Sequence, residues 1–146
     1  MTLSSVILKD LNNNTFLLPE LLNKEDLNLL LFYNTNCLGC TGRALPLAHE
    51  LNINHEKVNL IILHSNFKTT PISVEEIKSV FTNQAPPFKI YREDFHDLYD
   101  YFGCEGTPHW ILMNGSGDVL KSFFGSQEGA QMKLSYAIQE FEDQFS

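Results

Sequence analysis

The residues with chemistry to offer gather in NTNCLGCTGRALP, residues 34–46, where Cys37 and Cys40 stand three positions apart. Two thiols so spaced can be half of a tetrahedral metal site, a pair that makes and breaks a disulfide, or two inert buried side chains. A metal site needs two more ligands. Cys104, His49, His55, His64, His96 and His109 are available, but no second C-x-x-C and no H-x-x-x-H falls at zinc spacing. Spacing does not choose among the three chemistries, so the elements that hold the pair must.

DLNLLLFYN, residues 26–34, is a continuous apolar run too short for a helix of its own, and it reads as a central strand buried on both faces. KVNLIILHSNF, residues 57–67, has the same character. Between them Ala44, Leu45, Ala48 and Leu51 recur at helical spacing and predict a helix from about Leu38 to Asn52. Ser73 with Glu76 forms a capping box ahead of a helical face of Val74, Ile77, Val80 and Phe81. PPFKIYRE, 86–93, reads as a short strand, and Phe95, Leu98, Tyr99 and Phe102 as two helical turns. PHWILMNGSGDVLKSFFG, 108–125, is two apolar runs about a Gly-rich turn, the pattern of an antiparallel hairpin. Leu134, Ala137, Ile138, Phe141 and Phe145 mark a terminal amphipathic helix, and a small strand lies near Thr15–Leu18. The expected fold class is α/β: one domain over residues 1–146, with a mixed central β-sheet and helices on both faces. Trp110, Phe123 and Phe124 read as core.

These elements give the cysteine pair an address. Cys37 falls where a buried strand ends, and Cys40 one turn into the helix that follows. The unpaired N–H groups and positive dipole end of that helix favour an anionic sulfur at Cys37, and the thiolate is the nucleophilic form. Cys40, a turn behind, is placed to attack a mixed disulfide that Cys37 forms. Disulfide exchange is therefore the favoured chemistry.

Composition narrows the function from the other side. A chain of 146 residues with 43% apolar content can bury a core without staples. A net charge of −8 with no Lys/Arg cluster excludes a nucleic-acid partner and disfavours docking on an anionic membrane. No stretch is long and apolar enough to span a bilayer. MTLSSVILKDLNNN has neither a basic n-region nor a small-residue cleavage site, and three cysteines make no secreted disulfide framework. The expected compartment is cytoplasmic, or extracytoplasmic if a presequence has been removed.

With those residues in view, the sequence resembles the thioredoxin-like superfamily, and within it the redoxin-type, TlpA-like thiol–disulfide oxidoreductases. The resemblance covers essentially the whole chain. It rests on LLLFYNTNCLGC, a strand leading into C-x-x-C, and on YFGCEGTPHWILMNGSGDVLKSFFG, a proline loop followed by a hairpin and a closing Gly. It implies that Cys37 and Cys40 are catalytic and that Thr107–Pro108 is a cis bond facing Cys37. It implies too that Thr107, Pro108, Leu38 and Gly39 meet the substrate. No cofactor is implied, since the dithiol holds the electrons. The implied partners are disulfide-containing protein substrates and an upstream thiol reductant.

Several positions depart from the family pattern. Asn36 replaces the usual Trp before the first cysteine, and Leu38–Gly39 lacks the usual Pro. Pro46 resembles the helix-kinking proline but lies one residue farther from Cys40 than is usual. Leu31 occupies the place that is acidic in thioredoxins proper, so another group must assist there. His109 is either that group, or a tuner of Cys37, or a plain strand residue. Arg43 would lower a thiol pKa or, in the reading placed first, pair with surface acids. Cys104 would be a third redox thiol or, more often for such a residue, a packed one. Two rivals remain. A thiol peroxidase resembling the peroxiredoxins would carry Thr three positions before Cys37, where this chain has Asn34. A non-enzymatic module would hold a metal at Cys37, Cys40 and His109.

Overall fold

The computed structural model describes residues 5–144, so Phe145 of the expected helical stripe and residues 1–4 lie outside it. Seven strands form one mixed sheet in the order β2-β1-β5-β4-β3-β6-β7. They are β1 Leu8–Lys9, β2 Thr15–Phe16, β3 Leu27–Tyr33, β4 Val58–His64, β5 Ile90–Arg92, β6 His109–Met113 and β7 Val119–Phe124. The helices are α1 Leu18–Leu21, α2 Leu45–Asn54, α3 Val74–Lys78, α4 Asp97–Tyr101 and α5 Glu128–Asp143. β3 lies parallel to β4 and antiparallel to β6.

Why β3 is apolar apart from Asn28 follows from its position. Side chains alternate between the two faces of a strand, and here both faces are covered. Leu27, Leu29, Leu31 and Tyr33 join a core with Ala44, Leu45, Ala48 and Leu51 of the following helix and Leu134, Ala137 and Ile138 of α5. Leu30 and Phe32 join a second core with Leu18 of α1 and Leu98 of α4. The one polar residue inside the run is Asn28, fully buried and fully paired. Its Nδ2 donates to the carbonyls of Asn23 and Asn114, while its Oδ1 accepts from the Asn23 N–H and Asn59 Nδ2. The side chain thereby ties β3 to β4 and to the β6–β7 turn, and holds in register the strand that carries the cysteines.

The helix after β3 begins helically at residues 38–39, passes through a π-helical turn at Cys40–Ala44 and continues as α2. The cause is local. Pro46 has no N–H to give to a carbonyl four residues back, and its ring crowds that carbonyl. The Leu45 N–H reaches instead to the Cys40 carbonyl five residues back. A π-turn is an α-helix with one residue more in the turn, which takes up the additional residue between Cys40 and Pro46.

Three expectations need correction. The helix capped by Ser73 ends at Lys78, leaving Val80 exposed and Phe81 half-buried against the core. The strand expected over 86–93 is confined to Ile90–Arg92, because Asn83 and Gln84 take positive φ and the prolines after them cannot join a ladder. Phe124 is 52% exposed rather than core, whereas Trp110 is fully buried and Phe123 packs against the core. β1 and α1 were not foreseen. Replacing Asn28 by Ala orphans several buried polar groups, so urea denaturation is expected to show a loss of about 2–3 kcal/mol.

Candidate dithiol site

β3 delivers the chain to one end of the sheet, and Asn34 shapes the turn there. Its Nδ2 donates to the Ser65 carbonyl beyond β4 at 2.8 Å, its Oδ1 accepts the Asn36 N–H at 2.9 Å, and its carbonyl accepts the Cys37 N–H at 3.1 Å. The Cys37 carbonyl then accepts the N–H groups of Cys40 and Thr41, each at 3.1 Å, which begins the helix. Cys37 is half-buried and Cys40 fully buried, and both are reduced.

Two backbone groups meet the Cys37 sulfur. The Cys40 N–H donates to Cys37 Sγ at 3.2 Å, and Cys37 Sγ lies 3.2 Å from the Thr107 carbonyl oxygen, to which its S–H can donate. The Thr107–Pro108 peptide is cis. Burial pushes the Cys40 thiol up to about 12, and its hydrogen bond with the Cys37 side chain adds to the rise. One sulfur is thus accessible and the other is held as a thiol at neutral pH.

The other expected site residues are placed as follows. Leu38 is 87% exposed and stands at the rim. Gly39 is half-buried: a Cβ there would meet Ser126 Oγ at 2.9 Å and Pro108 Cδ at 3.7 Å, so it packs against the loop before α5. Pro108 is itself buried, so of the apolar residues implied to meet the substrate only Leu38 and part of Gly39 reach the surface. Phe124 does not join them: it stands opposite His109 in the β6–β7 ladder, on the sheet face away from the cysteines, with its ring against Gly106.

His109 is not beside the cysteines. It shares the sheet face of Ile111 and Met113, whereas Cys37 and Cys40 pack on the face of Trp110 and Leu112. Its Nδ1 accepts the Glu105 N–H at 3.5 Å, so Nε2 carries the proton and donates to Ser122 Oγ at 2.9 Å. Burial lowers its pKa, and Glu105 opposes that only in part. Arg43 donates to Gln127 Oε1 at 2.7 Å, a neutral partner at the start of α5 in place of the expected acids. Cys104 packs among the residues of the second core. Burial, with the charges of Glu93 and Asp100, pushes its thiol up to about 12. Among the described residues, no group of three His, Cys, Asp or Glu side chains is placed to hold a metal ion.

A row of buried polar side chains behind the site had no signal in the sequence beyond polar residues at strand ends. Tyr33, His64 and Arg92 lie opposite one another across β3, β4 and β5, and all are buried. His64 Nε2 accepts the Thr35 N–H at 3.3 Å, so its proton sits on Nδ1. Tyr33 Oη, His64 Nδ1 and Arg92 Nε meet no hydrogen-bond partner among the described residues. Burial lowers the His64 pKa from 6.5 to about 4, helped by Arg92 and Lys68. The folded state therefore takes up a proton there less readily than the unfolded chain. The stability this confers is complete above pH 6.5 and is lost as the pH falls towards 4. That loss is expected to be ~3 kcal/mol. His109 contributes with the same sign, while Glu93, raised by burial, opposes both. Urea denaturation between pH 7 and 4 is expected to show a shallower slope in a His64→Asn variant; an unchanged slope would remove His64 from the account.

No protein-family model matches the chain, and no curated protein sequence does. Solved structures do. An exposed lipoprotein thioredoxin, Etrx1, from Streptococcus pneumoniae is similar at TM-score 0.72 and 16% identity, over 92% of this chain and 97% of its own. A thiol-disulfide isomerase from Corynebacterium glutamicum is similar at TM-score 0.73 and 18% identity, over 91% and 90%. A secreted Mycobacterium tuberculosis disulfide oxidoreductase, described as homologous to E. coli DsbE, is similar at TM-score 0.70 and 13% identity, over 92% and 94%. These likenesses show the fold, and the chain is a thioredoxin-fold protein.

Proposed function

We propose that this protein is a thiol–disulfide oxidoreductase acting on disulfide-containing protein substrates. The observation that carries the proposal is the Cys37 sulfur held between the Cys40 N–H and the Thr107 carbonyl, with a second, buried thiol one turn behind it. Cys37 Sγ attacks one sulfur of the substrate disulfide. The substrate S–S bond breaks, a Cys37–substrate S–S bond forms, and the departing thiolate takes a proton. Cys40 then loses its proton and attacks Cys37 Sγ. The Cys37–Cys40 disulfide forms, and the second substrate sulfur leaves as a thiolate that is protonated in turn. The substrate gains two electrons and the dithiol is oxidised; an upstream dithiol reductant restores it, and the reverse sequence oxidises a substrate.

Leu38 offers exposed apolar contact next to Cys37, and the backbone at Thr107 offers polar groups to an extended substrate chain. The names of the similar structures agree with exchange chemistry. The rivals fit the geometry less well. In a peroxidase the side chain three positions before Cys37 would assist the peroxide, but Asn34 Nδ2 is committed to the Ser65 carbonyl. The metal module needs His109, which lies on the other face of the sheet.

The test is exchange with a small chromogenic disulfide and with a peptide disulfide. A Cys37→Ser variant is expected to lose at least ~10³-fold in rate, as when a nucleophile is removed. A Cys40→Ser variant is expected to accumulate Cys37–substrate mixed disulfides that mass spectrometry resolves. Turnover that survives in Cys37→Ser, or a wild-type protein that consumes hydrogen peroxide far faster than a free thiol while ignoring disulfides, would overturn the proposal.

A further inference from the structure

We infer that two copies of this chain associate through β7 and α5 about a two-fold axis, joining their sheets edge to edge. The inference is independent of the exchange reading, since the surface it uses holds none of the dithiol residues.

β7 is the last strand of the sheet, and among the described residues it pairs with β6 alone. Its other edge is uncovered. Val119–Phe124 is exposed at every position but Phe123, and Val119, Leu120 and Phe124 are each about half exposed. An edge strand in this state presents a row of unpaired N–H and C=O groups that a further strand can satisfy. The sheet's other edge offers less, for β2 has two residues. α5 lies over β6 and β7, on the face of Trp110 and Leu112, with Lys133 above the Phe123 ring at 5.5 Å. Beside the free edge runs a groove of about 620 Å³ whose walls include Lys121, Lys133, Tyr136, Ala137 and Glu140. Tyr136 is 68% exposed there.

The pattern along that wall selects a second copy as the occupant. Lys133 and Glu140 stand seven residues apart on one side of α5, about 10 Å along its axis. Neither has an ion-pair partner among the described residues. A two-fold axis passing between Tyr136 and Ala137 sets a second α5 antiparallel to the first. Lys133 of each copy then stands opposite Glu140 of the other, and each Tyr136 opposite the small Ala137. The surface is complementary to itself in charge and in size, which is the condition for an isologous contact. A purely acidic partner would instead oppose Glu140 and Asp143, and a purely basic one Lys121 and Lys133.

The strands obey the same axis. Ser122 lines the same groove as Tyr136, so strand and helix can share one centre. Two β7 strands paired antiparallel about Ser122 place Lys121 across from Phe123 of the second copy, and no lysine faces a lysine. With strands about 4.8 Å apart, helices seated over β6 and β7 in the two copies come about 10 Å apart, the distance at which helices pack. β7 runs antiparallel to β6 and β6 antiparallel to β3, so β7 points towards the same end as the dithiol. Antiparallel pairing therefore sends the two dithiols to opposite ends of the joined sheet.

The experiment follows the full chain by sedimentation equilibrium over a range of concentrations, with amide hydrogen exchange of β7 at the lowest and the highest. The wild type is expected to form a dimer in which alternate amides of Val119–Phe124 exchange more slowly. Lys133→Glu and Glu140→Lys are each expected to weaken the dimer at least about tenfold. The double variant is expected to restore it, because the opposed charges are then exchanged and the net charge is that of the wild type. Both side chains are exposed and lie away from the cysteines, so helix content and the rate with a small chromogenic disulfide are expected to be unchanged. A wild type that stays monomeric at every concentration would overturn the inference and leave the edge to a strand of another protein. A dimer that tolerates both reversals, a double variant no tighter than the single ones, or β7 amides indifferent to concentration would overturn it too, by placing the contact elsewhere.

Discussion

The site depends on where one sulfur atom is held. Cys37 Sγ takes an N–H from its own helix on one side and lies against a carbonyl from a distant loop on the other, and neither contact involves a side chain of the loop or of Cys40. Backbone groups are placed by the fold itself, so the contacts are as rigid as β3, β6 and the start of the helix. Asn34 joins these parts. It ties the turn before Cys37 to the end of β4 and leaves the Cys37 N–H and the following backbone in position to start a helix. The apolar run of β3 has the same purpose at longer range, because burial on both faces fixes the strand that presents the turn.

The helix that follows shows how a change in spacing is absorbed. Pro46 stands one residue farther from Cys40 than in the proteins the sequence resembles, and a regular α-helix would either turn the proline away or shift Cys40. The π-turn at Cys40–Ala44 holds the additional residue inside the helix. Cys40 keeps its place against Cys37, and Leu45, Ala48 and Leu51 still face the sheet. Gly42 and Arg43 are exposed within that turn, and Arg43 bonds across to Gln127. The helix is thus anchored to the start of α5 close to the dithiol.

Much of this was legible in the residues. The runs at 26–34, 57–67 and 108–125 became β3, β4 and the β6–β7 hairpin, because apolar continuity and a Gly-rich turn are local signals with long-range consequences. Cys37 and Cys40 fell at the strand-to-helix junction for the same reason. What could not be read depends on which face a residue takes, or on contacts between distant segments. His109 follows the proline of the loop, yet strand alternation turns it away from the cysteines. Phe124 looked like core beside Phe123, yet alternation on an edge strand exposes it. The expected helical face of Val74, Ile77, Val80 and Phe81 continued past Lys78 in pattern but not in structure, since Asn83, Gln84 and the prolines redirect the chain. Tyr33 and His64 looked like ordinary strand ends. Only the fold shows them as neighbours whose polar atoms lack partners behind the dithiol.

The central claim is that one sulfur of the three is presented for reaction and the other two are withheld. Alkylation of the reduced protein by a limiting amount of iodoacetamide at pH 7, followed by peptide mapping, tests it most directly. The account expects the label on Cys37 almost alone, with Cys40 and Cys104 modified only after denaturation. Label appearing first on Cys104, or shared evenly between Cys37 and Cys40, would contradict it.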